Sequence, residues 1–256
     1  MIIDSHVHFD ERSGNSAFEV AEELARQMEQ ASVDRVVVLH LETQPWSPEE
    51  VSDAISKFSA MKAFVNINPN SQKAEKEFQN AIERLGFIGL KLHPRLQKFD
   101  VDSDATKRLV RLAGDLNVPV LIDAFPDGTN LMQNFNSVNY AKLALHCPKT
   151  RIIWAHMGGH YAIDFMMLAK RLPNIYMDMS YSLLYYRGSS VTQDMVYAMR
   201  SMRFERIFYG SDYPDRSLHD SLHSSIQELR NQGVNELEMK KLLESNARHF
   251  FEWSEL

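Results

Sequence analysis

The chain has 256 residues and a single cysteine, Cys147. One thiol cannot close an intramolecular disulfide or build a thiolate metal cluster, so any bound metal must be held by nitrogen and oxygen. Apolar runs long enough to cross a bilayer are missing. So is any extended basic run, and the formal charge is −6, which argues against nucleic acid as the primary ligand and suits a small-molecule substrate better. No basic and apolar leader precedes the first strand, so no secretory signal is expected and a cytoplasmic location is the default. Nor does the first turn carry the glycines of a dinucleotide-binding sheet. With 44% hydrophobic and 24% charged residues, the composition excludes a disordered chain and fits a globular one.

What is present is a regular alternation of strands and helices. The opening stretch, Met1 to Asp10, reads as a strand whose side chains alternate, so that Ile3, Val7 and Phe9 look one way and Asp4, His6 and His8 the other. Ser16 to Ala31 has apolar spacing for a helix, and Arg35 to His40 is a β-branched run suited to a strand buried on both faces. In Pro45 to Phe58, Ser47-Pro48-Glu49-Glu50 starts a helix with a serine cap, proline in the first turn and acids beside the N-terminus. Further strands are expected over Lys62 to Ile67, Phe87 to His93, Val118 to Asp123, Arg151 to His156, Asn174 to Met179 and Arg206 to Asp212. Helices are expected over Gln72 to Leu85, Asp102 to Leu116 (opened by Asp102 or Ser103), Val138 to His146, Tyr161 to Arg171 and Thr192 to Met202. Leu218 to Gln232 and Asn235 to Phe251 read as two closing helices. Eight strand-helix units with no linker predict a single-domain α/β fold over 1–256, a (β/α)8 TIM-type barrel with extra C-terminal helices.

In such barrels the active site lies at the carboxyl ends of the strands. Here those ends are polar: His6-Val7-His8, Lys91-Leu92-His93, Asp123, His156 and Ser211-Asp212. Two imidazoles at i and i+2 can grip one divalent ion from the same side if other donors converge there. Charges at alternate positions of core strands are costly to bury, and a cation would supply the reason for them.

Four stretches resemble the amidohydrolase superfamily, in the amidohydrolase-related branch that includes aminocarboxymuconate-semialdehyde-type decarboxylases. They are Asp4-Ser5-His6-Val7-His8, Gly89-Leu90-Lys91-Leu92-His93-Pro94, Ala155-His156-Met157-Gly158-Gly159 and Tyr209-Gly210-Ser211-Asp212-Tyr213-Pro214, in order from the first strand to the eighth. The resemblance implies metal ligation by His6, His8 and Asp212, with His156 as the sixth-strand histidine. One position departs from the pattern: where the family commonly has a metal-binding histidine on strand five, this chain has Asp123. An aspartate oxygen is an acceptable ligand for zinc, the cation expected, or for manganese. Asp123 is placed in the gap, and His93 is the alternative. Some family members carry a carboxylated lysine on strand four that bridges two metals; the missing strand-five histidine argues against this for Lys91.

The expected chemistry is hydrolysis of a small-molecule amide, lactone or cyclic amide. Asp212 would take the proton of the activated water, and His156 would stabilise the oxyanion or leaving group. Lys91, His93 and Arg95 suit an anionic part of the substrate, and His160 could cover the site from its loop. Three alternatives stay open. A non-oxidative decarboxylase would use nearly the same ligands, and a phosphoesterase of the barrel nuclease type also begins with paired histidines, but shows glutamate-threonine-aspartate where this chain has Gly210-Ser211-Asp212. A metabolite-binding barrel with a degraded metal site is the third. A homo-oligomer is a possible assembly for any of these. His40 is read as a hydrogen-bonded core histidine, Asp178 as a partner orienting a ligand, and His146, His219, His223 and His249 as surface or helix-end residues.

Overall fold

In the computed structural model, which describes residues 1–133 and 135–254, eight short parallel strands alternate with helices. The strands are β1 (Ile3–Val7), β2 (Arg35–Leu39), β3 (Met61–Asn66), β4 (Gly89–Leu92), β5 (Val120–Ile122), β6 (Ile152–Trp154), β7 (Ile175–Asp178) and β8 (Ile207–Phe208). Each pairs with the next in sequence order. The ring closes through backbone bonds between its ends: Ser5 N–H donates to Tyr209 O at 3.0 Å, Asp212 N–H to His6 O at 2.9 Å and His8 N–H to Tyr213 O at 2.7 Å. The result is a (β/α)8 barrel, as the alternation predicts. Closure draws together the two stretches, far apart in sequence, that carry His6, His8 and Asp212.

The helices start where their capping residues dictate. Ser16 accepts from Glu19 N–H at the head of Ala17–Ala31, Ser47 and Glu50 form a reciprocal capping box at Pro48–Ile55, and Ser103 rather than Asp102 caps Asp104–Asp115. The last expected helix is divided: Glu236–Lys240 and Asn246–Phe250 flank a π-helical turn, Lys241–Ser245. Pro94–Gln97, Gly128–Met132 and Ser182–Tyr185 are short helices that escape the sequence reading, because four or five residues show no helical periodicity. No helix among the described residues is long and apolar enough to cross a membrane.

Two apolar layers hold the barrel. Val36, Val38, Leu90, Leu92, Val120, Ile122 and Ile152 pack outward with helix residues. Ile3, Val37, Leu39, Phe64, Leu121, Ile153 and Phe208 fill the inside, together with Phe250 and Phe251 from the C-terminal helix. β1 does not alternate as simply as its sequence suggests: Ile3 belongs to the inner layer, but Val7 and Phe9 belong to the outer one. The cause is a slip in the β1–β2 register, where Asp4 faces Val36 but Val7 faces Val38. The extra residue re-aims the strand. An apolar Ile3 and a polar His6 can then both serve the interior.

β6 also differs from expectation, ending at Trp154 rather than His156. His156 and Met157 take left-handed conformations with φ of 62° and 51°. Such values are uncommon for residues other than glycine, and here they turn the chain at the barrel mouth.

His40, just past β2, is buried as expected: its Nδ1 accepts from Asn66 N–H and its Nε2 faces Trp46 O, each at 3.3 Å. Burial pushes its pKa down to about 4. The unfolded chain therefore binds more protons than the folded one between about pH 4 and 6.5, so stability is fully present above that window and falls as pH descends through it. In urea melts, the loss of stability between pH 7 and pH 4.5 is expected to be smaller by about 2 kcal/mol in His40→Gln than in the natural chain.

Candidate metal centre

A cavity of about 420 Å³ opens at the carboxyl ends of the strands, with His6, His8, Lys91, His93, Asp123, His156 and Asp212 among its lining residues. The donor atoms of His6, His8 and Asp212 lie within 4.8 Å of one another. His6 Nε2 is 3.2 Å and His8 Nε2 3.4 Å from Asp212 Oδ1. Both rings are held from behind: His6 Nδ1–H donates to Asp178 Oδ2 at 3.1 Å, and His8 Nδ1–H to Leu39 O at 2.7 Å. With the back nitrogen protonated, a neutral ring keeps its lone pair on Nε2, facing the carboxylate.

His6 Nε2 is buried and has no hydrogen-bond partner among the described residues, despite its nearness to Asp212. An orphaned acceptor nitrogen in a buried site is costly unless something fills its lone pair. Two forward imidazole nitrogens and a carboxylate are a donor set that suits zinc or manganese, so these residues fit a divalent cation. Burial lowers the pKa of His8. Burial alone would raise that of Asp212, but His6 and His8 override it and hold the carboxyl well below the usual range.

Asp123 and His156 make a second unit. Asp123 Oδ2 lies 3.0 Å from His156 Nε2 and 3.7 Å from His93 Nε2. Burial alone would raise the Asp123 pKa, but the two imidazoles pull it far below the carboxylate range. On its other side His156 Nδ1–H donates to Ser180 O at 3.0 Å. Both ring nitrogens thus face acceptors, which calls for the imidazolium; burial opposes the charge, yet Asp123, Asp212 and Asp178 raise the pKa to about 9. Among the described residues, the donor groups close enough to share a cation include neither Asp123 nor His93. The donor atoms of His156, His6 and Asp178 also lie close together, but they are taken up by hydrogen bonds, His6 Nδ1–H to Asp178 Oδ2 and the His156 ring to Ser180 O and Asp123 Oδ2.

Lys91 is 1% exposed, and its ammonium has no direct hydrogen-bond or ion-pair partner among the described residues, although it lies in the field of Asp123, Asp212 and Asp178. Burial lowers its pKa against the pull of those carboxylates. Arg95 lines the cavity and pairs with Asp127 at 2.7 Å. His160 is not among the lining residues: it is exposed, packs on Tyr161 at 4.4 Å between ring centroids and meets the Tyr186 hydroxyl at 3.2 Å.

Several site residues escape the sequence reading. Phe125, Tyr181 and Tyr185 form one wall, with ring centroids 5.0 to 5.4 Å apart, and no spacing in the sequence unites them. Gly210 was legible only as part of a motif. A Cβ there would stand 2.7 Å from His6 Cβ and 2.9 Å from Ser180 Cβ, so glycine is what lets the chain beyond β8 approach β1. Gly210→Ala is accordingly expected to displace His6 and weaken divalent-cation binding at least tenfold, on the order of 1.4 kcal/mol, in a competition titration with zinc as the probe against a chromophoric chelator.

No curated protein matches the chain. Among solved structures, it is similar to a probable 2-pyrone-4,6-dicarboxylic acid hydrolase from Acinetobacter baumannii with citric acid bound, at 15% identity and a TM-score of 0.71, covering 98% of this chain and 99% of that one. It is similar to an amidohydrolase from Burkholderia multivorans with bound zinc, at 14% identity and a TM-score of 0.71, covering 98% and 99%. It also resembles the 5-carboxyvanillate decarboxylase from Sphingomonas paucimobilis, at 13% identity and a TM-score of 0.67, covering 99% of each chain. At such identities these likenesses speak for the fold. The family model described as Amidohydrolase matches residues 3–253, nearly the whole length, and the chain belongs to the amidohydrolase family.

Proposed function

We propose that the chain is a metal-dependent hydrolase of a small-molecule amide, lactone or cyclic amide, with zinc as its cation and manganese as the alternative. The observation that supports this above all is the buried His6 Nε2 without a hydrogen-bond partner, set beside His8 Nε2 and Asp212 in a polar cavity. His6, His8 and Asp212 would hold the ion, with Asp123 and His93 as the candidates for a further donor. Bound there, the ion supplies the Lewis acidity that activates water and polarises a carbonyl oxygen.

The remaining roles belong to the chain. Asp212, kept ionised by its two imidazole neighbours, accepts a proton from the attacking water. His156, proton-bearing between Asp123 and Ser180, steadies the developing oxyanion or hands a proton to the leaving group. Lys91 offers an ammonium to the substrate's oxygen or carboxylate, His93 adds a wall nitrogen, and Arg95 stands with Asp127 on the β4 and β5 loops. The zinc-bearing amidohydrolase and the probable pyrone hydrolase that share the fold are in keeping with this reading.

A second reading is non-oxidative decarboxylation of a small carboxylic acid. It is favoured by the likeness to the 5-carboxyvanillate decarboxylase and by the charged state of His156, since a carbanion left by departing carbon dioxide needs a proton donor. A cytoplasmic location, a small-molecule substrate and no nucleic-acid or membrane partner complete the proposal, with homo-oligomerisation left open.

Screening a panel of lactones, amides and aromatic acids with zinc-loaded protein tests both readings: hydrolysis consumes water, whereas carbon dioxide released without it would replace the first reading by the second. With the substrate so identified, Asp212→Asn is expected to remain folded and to lose about 10²–10⁴-fold in kcat. Near-normal turnover in that variant would remove Asp212 from the mechanism.

A further inference from the structure

Behind the imidazoles of His6 and His156 stands a side chain that neither the motifs nor the proposed chemistry has used. Ser180 is fully buried, two residues beyond the end of β7. Its Oγ lies 3.1 Å from His6 Nδ1 and 3.0 Å from His156 Nδ1. The same hydroxyl makes a very short contact with Asp178 Oδ1, while Ser180 N–H donates to that oxygen at 3.0 Å. A carboxylate oxygen only accepts, so the hydroxyl proton goes to Asp178 and the Oγ lone pairs are left for the two ring N–H groups.

The backbone shows that this placement is enforced. Tyr181 has φ of 56° and ψ of −59°, the rare positive-φ form of a γ-turn, and Ser182 N–H closes it on Ser180 O. The carbonyl used by that turn is the one that accepts from His156 Nδ1–H. Strain of this kind, about 1–3 kcal/mol, persists only where neighbouring contacts over-determine it. Here those contacts are the two histidines and Asp178.

We propose that Ser180 is a positioning residue that ties the cation-facing imidazole of His6 to the proton-bearing imidazole of His156, so that one hydroxyl orients both. The inference rests on the reading of His6 as a metal ligand. It adds a mechanical link between the place where the ion would sit and the group that would move the proton. A substitution at Ser180 then acts on both histidines at once, although the side chain touches neither ion nor substrate.

A neighbouring serine provides the control. Ser182 is also fully buried in the same turn, but its Oγ has no hydrogen-bond partner among the described residues. Ser180→Ala and Ser182→Ala remove the same atom from the same loop, and only the first removes an imidazole contact. Zinc affinity of the metal-stripped chains is measured by chelator competition, and the downfield Nδ1–H resonances of His6 and His156 are followed by NMR in the same metal-free samples. Ser180→Ala is expected to bind zinc ~10–100-fold more weakly and to move both resonances upfield, with Ser182→Ala like the natural chain in each. A Ser180→Ala protein matching the natural one in both measurements overturns the proposal, as does an equal effect of the two substitutions, which would assign it to loop packing. Should Ser180→Ala not fold, Ser180→Cys keeps the local shape and replaces the hydroxyl by a weakly accepting thiol; unchanged zinc affinity and resonances there count equally against it. A natural chain that binds no zinc refutes the metal reading of the preceding section, and the two proton resonances then decide this inference by themselves.

Discussion

Two back-side hydrogen bonds decide what the barrel mouth can do. An imidazole presents its lone pair on whichever nitrogen is not protonated, and the partner behind the ring chooses which that is. For His6 the partner is Asp178, and for His8 it is the carbonyl of Leu39 at the end of β2. Both choices leave Nε2 facing Asp212. Because Leu39 O belongs to the neighbouring strand, the orientation of His8 is part of the barrel's own construction, and it holds as long as β1 and β2 stay paired.

The second constraint is electrostatic. Asp123, Asp178 and Asp212 stand around Lys91 and His156 in a volume from which bulk water is largely removed. Burial on its own would discharge every one of them, raising the carboxyls and lowering the lysine and the imidazole. Each carboxylate remains ionised because a histidine stands beside it, and His156 remains charged because carboxylates surround it. The groups sustain one another's charge, which leaves a site polarised before any substrate arrives. The backbone shows the accompanying strain: His156, Tyr181 and Asp212 all have positive φ, and all three line the cavity.

The family frame and the particular chemistry are separable. Chains at 13–15% identity share this barrel while being described as a hydrolase and as a decarboxylase, so the fold leaves the reaction open. The local features of the cavity are this chain's own residues. Asp123 stands where the resemblance led one to expect a histidine, and it engages His156 and His93. An aromatic wall of Phe125, Tyr181 and Tyr185 bounds the other side.

The amino-acid sequence by itself determined the succession of strands and longer helices, the cap at Ser47, and the residues His6, His8, Lys91, Asp123, His156 and Asp212 as chemistry-bearing strand ends. Those follow from short-range rules: side-chain periodicity, capping, and the cost of leaving charge on a core strand. Tertiary structure alone decided that Asp123 turns to His156, that His160 stays outside the cavity, and that Ser180 stands behind two imidazoles. It also introduced the slip in β1 that sets Ile3 and Val7 in different layers, against simple alternation. Such outcomes depend on register, on left-handed residues and on contacts between residues 24 to 174 positions apart, and no local pattern encodes them.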